Sequence, residues 1–176
     1  MESKMRVPRR LACLATLMTA VMLSACGFQL RGANHSAGLP FQTIFLGFAE
    51  SSSLGNELKR NIRGSGATAI TTDAKSAQVI LEVLSEAKEK VILSRNSQGR
   101  VREYTLYYKL RFRLKDKQNN ELLAPTEIVL KRDITFNEAQ VLAKEREEEL
   151  LYRDMQADLV QQIMRRLSAV KLITTG

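Results

Sequence analysis

The sequence predicts an α+β protein, a two-layer sandwich in which two helices pack on one face of a single, mostly antiparallel sheet of about four strands. Three observations carry this. Over residues 102–115 the side chains alternate for a full strand: Tyr104, Leu106, Tyr108, Leu110, Phe112 and Leu114 point one way, and Glu103, Thr105, Tyr107, Lys109, Arg111 and Arg113 the other. Turn chemistry brackets that strand, Asn96-Ser97-Gln98-Gly99 before it and residues 116–120 after it, so it lies inside a meander. Leu151, Met155, Leu159, Ile163 and Leu167 recur every four residues, the stripe of a helix lying on a sheet.

The elements follow in order. Residues 43–48 form a short apolar run with β-branched and aromatic members, hence a strand. Ser53 is placed to cap a helix whose Leu54, Leu58 and Ile62 share a face and which Gly64 and Gly66 stop. Residues 67–72 are compatible with a further short strand, and that assignment stays open. Val79, Leu81, Val83, Ala87, Val91 and Leu93 then share one face against Glu82, Glu86, Lys88 and Lys90, the first arm of a long hairpin with 102–115. Past Pro125, residues 127–136 make the third strand of the meander. Asn137 opens the last helix, with Gln140 placed to reciprocate as in a capping box. The run 144–149, K-E-R-E-E-E, reads as a solvated face in which Lys144 and Glu148 can pair.

Composition narrows the function. Lys and Arg number 27 against 19 Asp and Glu, a net charge of +8. Removing Lys4, Arg6, Arg9, Arg10 and Glu2 with the N-terminus leaves +5, which favours an anionic partner or surface without choosing one. Two cysteines, Cys13 and Cys26, and one histidine, His35, do not comfortably supply a zinc ribbon, a His-pair metal site, a disulfide framework or a Ser-His-Asp triad, although His35 alone could serve as a base. His35 lies in a loop-like stretch and reads as a solvated side chain. No Gly-x-Ser-x-Gly elbow is present, so hydrolysis is the poorest of the readings. The chain is expected to be no enzyme and to need no cofactor.

The N-terminus carries a more specific signal. A basic stretch precedes an apolar run over 11–23 that is too short to span a bilayer, and the run ends in Leu23-Ser24-Ala25-Cys26-Gly27. This resembles the lipobox of bacterial lipoproteins. The resemblance implies thioether attachment of a diacylglycerol to Cys26, cleavage before it and acylation of the new amine. Gly27 stands where an inner-membrane retention signal would have Asp, which points to the outer membrane. The organisation expected is a removed signal peptide over 1–25, a lipidated tether over 26–40 and a single α+β domain over 41–176.

Cys26-Gly27-Phe28-Gln29-Leu30-Arg31-Gly32, the tip Ser94-Arg95-Asn96 leading to Glu103-Tyr104, the stretch Gln140-Val141-Leu142-Ala143-Lys144, Met155 and Arg165-Arg166-Leu167 together resemble the LptE family of lipopolysaccharide-assembly lipoproteins. Glu138-Ala139 departs from the Pro common at that helix start. The resemblance implies a lipoprotein that sits inside the LptD β-barrel in a one-to-one complex, supports its assembly and helps load lipopolysaccharide into the outer leaflet. It implies no nucleic-acid partner. Arg95 and Lys144 are the expected lipopolysaccharide contacts, with Arg100 and Arg102 beside them; topology also brings the helix start to the hairpin tip. Arg95 suits bidentate phosphate binding, and Lys144 can snorkel over apolar surface. The bland alternative pairs Lys144 with Glu148 and leaves Arg95 to keep the turn soluble. Tyr107, Lys109, Arg111 and Arg113 form a candidate partner face, or else an ordinary solvated strand. A generic envelope-binding module, gripping peptidoglycan or piloting a secretin, is the alternative function.

Overall fold

The computed structural model describes residues 38–172; the expectations for the signal segment, Cys26 and His35 lie outside them. The elements are β1 (Thr43–Gly47), α1 (Ser53–Ser65), β2 (Ala69–Thr71), a 3-10 turn (Ala74–Ser76), β3 (Val79–Arg95), β4 (Val101–Asp116), β5 (Glu121–Thr135), a second 3-10 turn (Glu138–Gln140) and α2 (Val141–Ser168). The sheet order is β2-β1-β3-β4-β5. Two helices on one face of one sheet is the architecture the sequence predicts, but the sheet is mixed and has five strands. β1 runs parallel to both neighbours, because α1 carries the chain back across the sheet before β2, and such a crossover returns the next strand in the same direction. β3, β4 and β5 are antiparallel.

The helix boundaries differ from expectation by a residue or a turn. Ser52, not Ser53, caps α1, its Oγ accepting from the Gly55 N–H at 3.0 Å. Gly66 ends that helix with φ of 74°, the left-handed conformation that glycine tolerates. Asn137 accepts from the Ala139 N–H and caps a 3-10 turn; α2 starts only at Val141, and Gln140 makes no side-chain cap. β5 begins at Glu121, earlier than the expected 127. Pro125 does not stop it, because β5 is an edge strand and its register slips between the Phe112 and Leu114 pairings, where a missing N–H costs no ladder bond.

The core lies between the helices and the sheet. Leu54, Leu58 and Ile62 of α1 and Met155, Leu159, Ile163 and Leu167 of α2 are fully buried on Ile44, Val79, Leu81 and the β4 row Leu106, Tyr108, Leu110, Phe112 and Leu114. The expected α2 stripe is therefore core. The expected face of β3 is half wrong. Val79 and Leu81 are buried, but a bulge between Val83 and Ser85 adds one residue and reverses the parity from Ser85 to Ile92, where the next register shift follows. Glu86, Lys88 and Lys90 now share register with Leu110, Tyr108 and Leu106 on the helix side. Ala87 and Val91 go to the open side, and Val91 and Leu93 are about half exposed, at 48% and 52%.

The displaced polar groups stay exposed on the helix side of the sheet and find partners there. Glu86 accepts from the Tyr108 hydroxyl at 2.7 Å and from Ser52 Oγ at 2.9 Å. Burial, then the Glu86 carboxylate, push the Tyr108 phenol far above its usual range. The Lys88 ammonium lies 4.8 Å and 5.3 Å from the ring centroids of Tyr108 and Tyr152. Leu159→Ala, which truncates a fully buried side chain, is expected to cost about 3 kcal/mol of unfolding free energy. Leu142→Ala, 75% exposed, should move it by less than about 0.5 kcal/mol; paired urea denaturation curves make the comparison.

Candidate lipid-binding site and partner face

Where the sheet runs out beneath the first turns of α2, a cavity of about 220 Å³ opens. Tyr104, Ile134, Phe136 and Val141 give it apolar walls, and Lys90, Lys144, Glu145 and Glu148 stand around them. Tyr104 and Phe136 meet edge to face with centroids 5.5 Å apart. Lys144 precedes Leu151 by seven residues, about two helical turns, so it continues the core stripe of α2 to this level. Its side chain is only 18% exposed, and Nζ donates to Thr135 Oγ1 and to Glu147 Oε2, each at 2.8 Å. Glu148, the partner the sequence offered it, is taken instead by Lys90 at 2.6 Å. Lys90 also lies 4.4 Å from the Tyr104 ring centroid.

The hairpin tip is built by Asn96 and Gly99. Asn96 Oδ1 accepts from the Gln98 and Arg100 N–H groups, and Gly99 takes φ of 78°. Arg95 donates from Nη1 to the Gly99 carbonyl at 3.0 Å, and Arg100 reaches Glu138 at 3.3 Å across exposed surface. The Arg102 carbonyl accepts from the Phe136 N–H at 2.7 Å, which ties the exit of β5 to the tip. Tip and helix start thus share one end of the molecule. The cation that lines the cavity with Lys144 is Lys90, a residue the parity-blind sequence reading sent to the other face; Arg95, Arg100 and Arg102 stand outside its lining.

On the open side of the sheet the four candidate partner-face residues divide. Lys109 pairs with Glu89 at 2.8 Å and lies 5.4 Å from the Tyr107 ring centroid. Arg113 Nε and Lys115 Nζ both hold Glu82 Oε2, at 2.7 and 3.2 Å. Arg111 is exposed opposite Glu127, and Tyr107 is half buried. Thr105, expected to face outward, is buried on that side, and its hydroxyl donates to Asp133 Oδ1 at 2.6 Å.

The family described as LptE, lipopolysaccharide-assembly, matches residues 41–167. The chain belongs to the LptE family. Among solved structures, an LptE-like fold recurs in an uncharacterized lipoprotein B of Nitrosomonas europaea, determined in solution. It is 40% identical over 81% of this chain and 91% of that one, with a TM-score of 0.69. The rare lipoprotein B of Shewanella oneidensis is 25% identical over 73% of this chain and 95% of that one, with a TM-score of 0.63. A minor lipoprotein of Acinetobacter baumannii is 26% identical over 74% and 93%, with a TM-score of 0.60. No curated protein sequence matches the chain. The LptE match spans both the cavity and the open face, so these belong to the family's fold and not to an appended segment.

The Glu82 carboxyl is held below its ordinary 4.5, first by the hydrogen bond from Arg113 and then by that from Lys115. A carboxyl depressed in the folded state stabilises the fold above its ordinary pKa, and the contribution fades as pH falls through the folded value. An NMR titration should place the Glu82 midpoint below 4.5, and Arg113→Ala should raise it toward that value. A midpoint indifferent to Arg113 would mean that the pair does not persist in solution.

Proposed function

We propose that this chain is an outer-membrane lipoprotein, anchored through a lipid on Cys26, that plugs the lumen of the LptD β-barrel in a one-to-one complex. It supports assembly of that barrel and binds lipopolysaccharide on its way to the outer leaflet. It makes and breaks no bonds, and needs no cofactor beyond the covalent lipid.

Beyond family membership, the observation that carries this reading is the length of the blade. β4 has 16 residues, about 54 Å at the rise of a strand, where globular strands commonly have five or six. A bilayer with its headgroups is about 40–45 Å thick. The tether enters beside Pro40 and Gln42, at the end of β4 opposite the tip. A protein anchored in the near leaflet and enclosed by a barrel therefore has the reach to bring Arg95, Arg100, Arg102 and Lys144 to the far leaflet. There, apolar walls beside cations suit a lipid A headgroup, whose phosphates adjoin acyl chains. The open face with Tyr107, Lys109, Arg111 and Arg113 is the side offered to the barrel wall. Lys109 and Arg113 are already ion-paired there, and Arg111 is left exposed.

Cys26→Ala is expected to abolish incorporation of labelled palmitate. Arg95→Asp combined with Lys144→Asp should weaken lipopolysaccharide binding by about tenfold or more, since each lost contact is charge-assisted, with helix content and the barrel complex intact. Binding unchanged at low salt, where phosphate contacts count most, would remove these two residues from the site. Photo-crosslinkers at positions 109 and 111 should capture the barrel in cells, and purely monomeric bands would assign that face to solvent.

A further inference from the structure

The bulge between Val83 and Ser85 puts Lys90 on the helix side of the sheet, in register with Leu106. Tyr104 is the next residue of β4 on that face, and the Lys90 ammonium lies 4.4 Å from its ring centroid. The ring holds the charge against the apolar wall of the cavity of about 220 Å³ beneath the first turns of α2.

The lining of that cavity carries two cations, Lys90 and Lys144, and two carboxylates, Glu145 and Glu148, so it has no net charge. Its two lysines are paired differently. Lys144 takes Glu147, which stands outside the lining, and the Thr135 hydroxyl. Lys90 takes Glu148, which stands inside it, with Nζ 2.6 Å from Oε2. Glu145 makes no ion pair among the described residues. An anionic headgroup arriving at Lys90 would meet the Glu148 carboxylate, and two anions on one ammonium repel. Glu148 precedes Met155, the first fully buried residue of α2, so its side chain can swing off Lys90 while the core stays packed.

We propose that Lys90 is a phosphate-recognising cation of this cavity and that Glu148 is its built-in competitor, a carboxylate that occupies the phosphate position until an anionic amphiphile displaces it. This regulation rests on the reading that the cavity receives lipopolysaccharide. A phosphate of the lipid replaces the carboxylate at Lys90 while an acyl chain meets Tyr104, Ile134, Phe136 and Val141. When the lipid leaves, Glu148 returns. Lys90 is paired in both states, so taking up the lipid exchanges one anion for another, and the site can release its ligand as well as hold it.

The buried core runs from Leu39 to Val170, so the chain from residue 27 onward carries the whole fold without its lipid. The first probe is dodecyl phosphate below its micelle concentration, followed by NMR through the resonances of Tyr104 and Phe136. Glu148→Gln should bind it about tenfold more tightly than the unmodified sequence, the scale of one charge-assisted hydrogen bond released to the ligand. Glu145→Gln removes the same charge from the same lining and should gain no more than about threefold. Lys90→Met should weaken binding by about tenfold, and in that background Glu148→Gln should gain no more than Glu145→Gln does. If Glu148 only fastened the helix, its removal would leave binding unchanged or weaken it, and either result overturns the proposal. So does an equal gain from Glu145→Gln, or a shift of the same resonances by inorganic phosphate alone, which would make this a site for free phosphate. The same variants are then compared on lipopolysaccharide. Binding of dodecyl phosphate with the expected order of variants, but no binding of lipopolysaccharide, would remove the functional reading and leave the competitor role in place. Lipopolysaccharide binding that ignores Glu148 would do the reverse.

Discussion

The bulge at Val83–Ser85 governs how the two halves of the sandwich differ. Before it, β3 presents Val79 and Leu81 to the helices, and the layers meet through close-packed apolar side chains. After it, the same strand presents Glu86, Lys88 and Lys90, so the layers meet through hydrogen bonds, ring–ammonium contacts and ion pairs. The far half of α2 is fastened by Lys90–Glu148, by Lys144 to Thr135 and by the Tyr152 hydroxyl to the Glu89 carbonyl. Such exposed or half-exposed contacts contribute about 0–1 kcal/mol each, against about 1.5–3 kcal/mol for each fully buried aliphatic side chain of the near half.

A gradient of local stability along one helix follows. The segment from Met155 to Leu167 opens only with the core, whereas the first turns of α2, with Val141 and Leu142 exposed above the cavity, can part from the sheet at low cost. The cavity sits at the soft end of that gradient. Its apolar walls are edged by polar fasteners, which can part without disturbing the buried core.

How much of this was legible in the sequence depends on which physical rule spoke locally. The β4 alternation and the α2 stripe were unambiguous, because long runs with one period leave a single buried face. Ser52 and Ser53 are adjacent hydroxyls, and nothing in the string says which will cap. The parallel placement of β1 was hidden because strand direction follows from tertiary crossover and not from any residue pattern. The bulge was hidden for a deeper reason. Val79 to Leu93 reads as one alternating face only if parity is conserved, and Ser85, small and polar in mid-strand, was the single sign that it is not. That miss sent Lys90 to the wrong side, so the cation beside Lys144 was found by structure, whereas Lys144 itself was placed by its spacing from Leu151.

β1 pairs with β3 only as far as Glu82, so among the described residues the outer edge of β3 has no neighbouring strand from Val83 onward, and β5 forms the opposite edge. The far half is thus a three-stranded ribbon with two open margins and a row of exposed aliphatics at Val91, Ile92 and Leu93. Left flat, such a ribbon would template stacking with its own copies. Two register slips in the outer half of β3, Pro125 with its own slip in β5, and the lysines at 88, 90 and 131 interrupt both margins with twist and charge. Long strands with open margins are thus combined, in the described residues, with the features that disfavour edge-to-edge stacking.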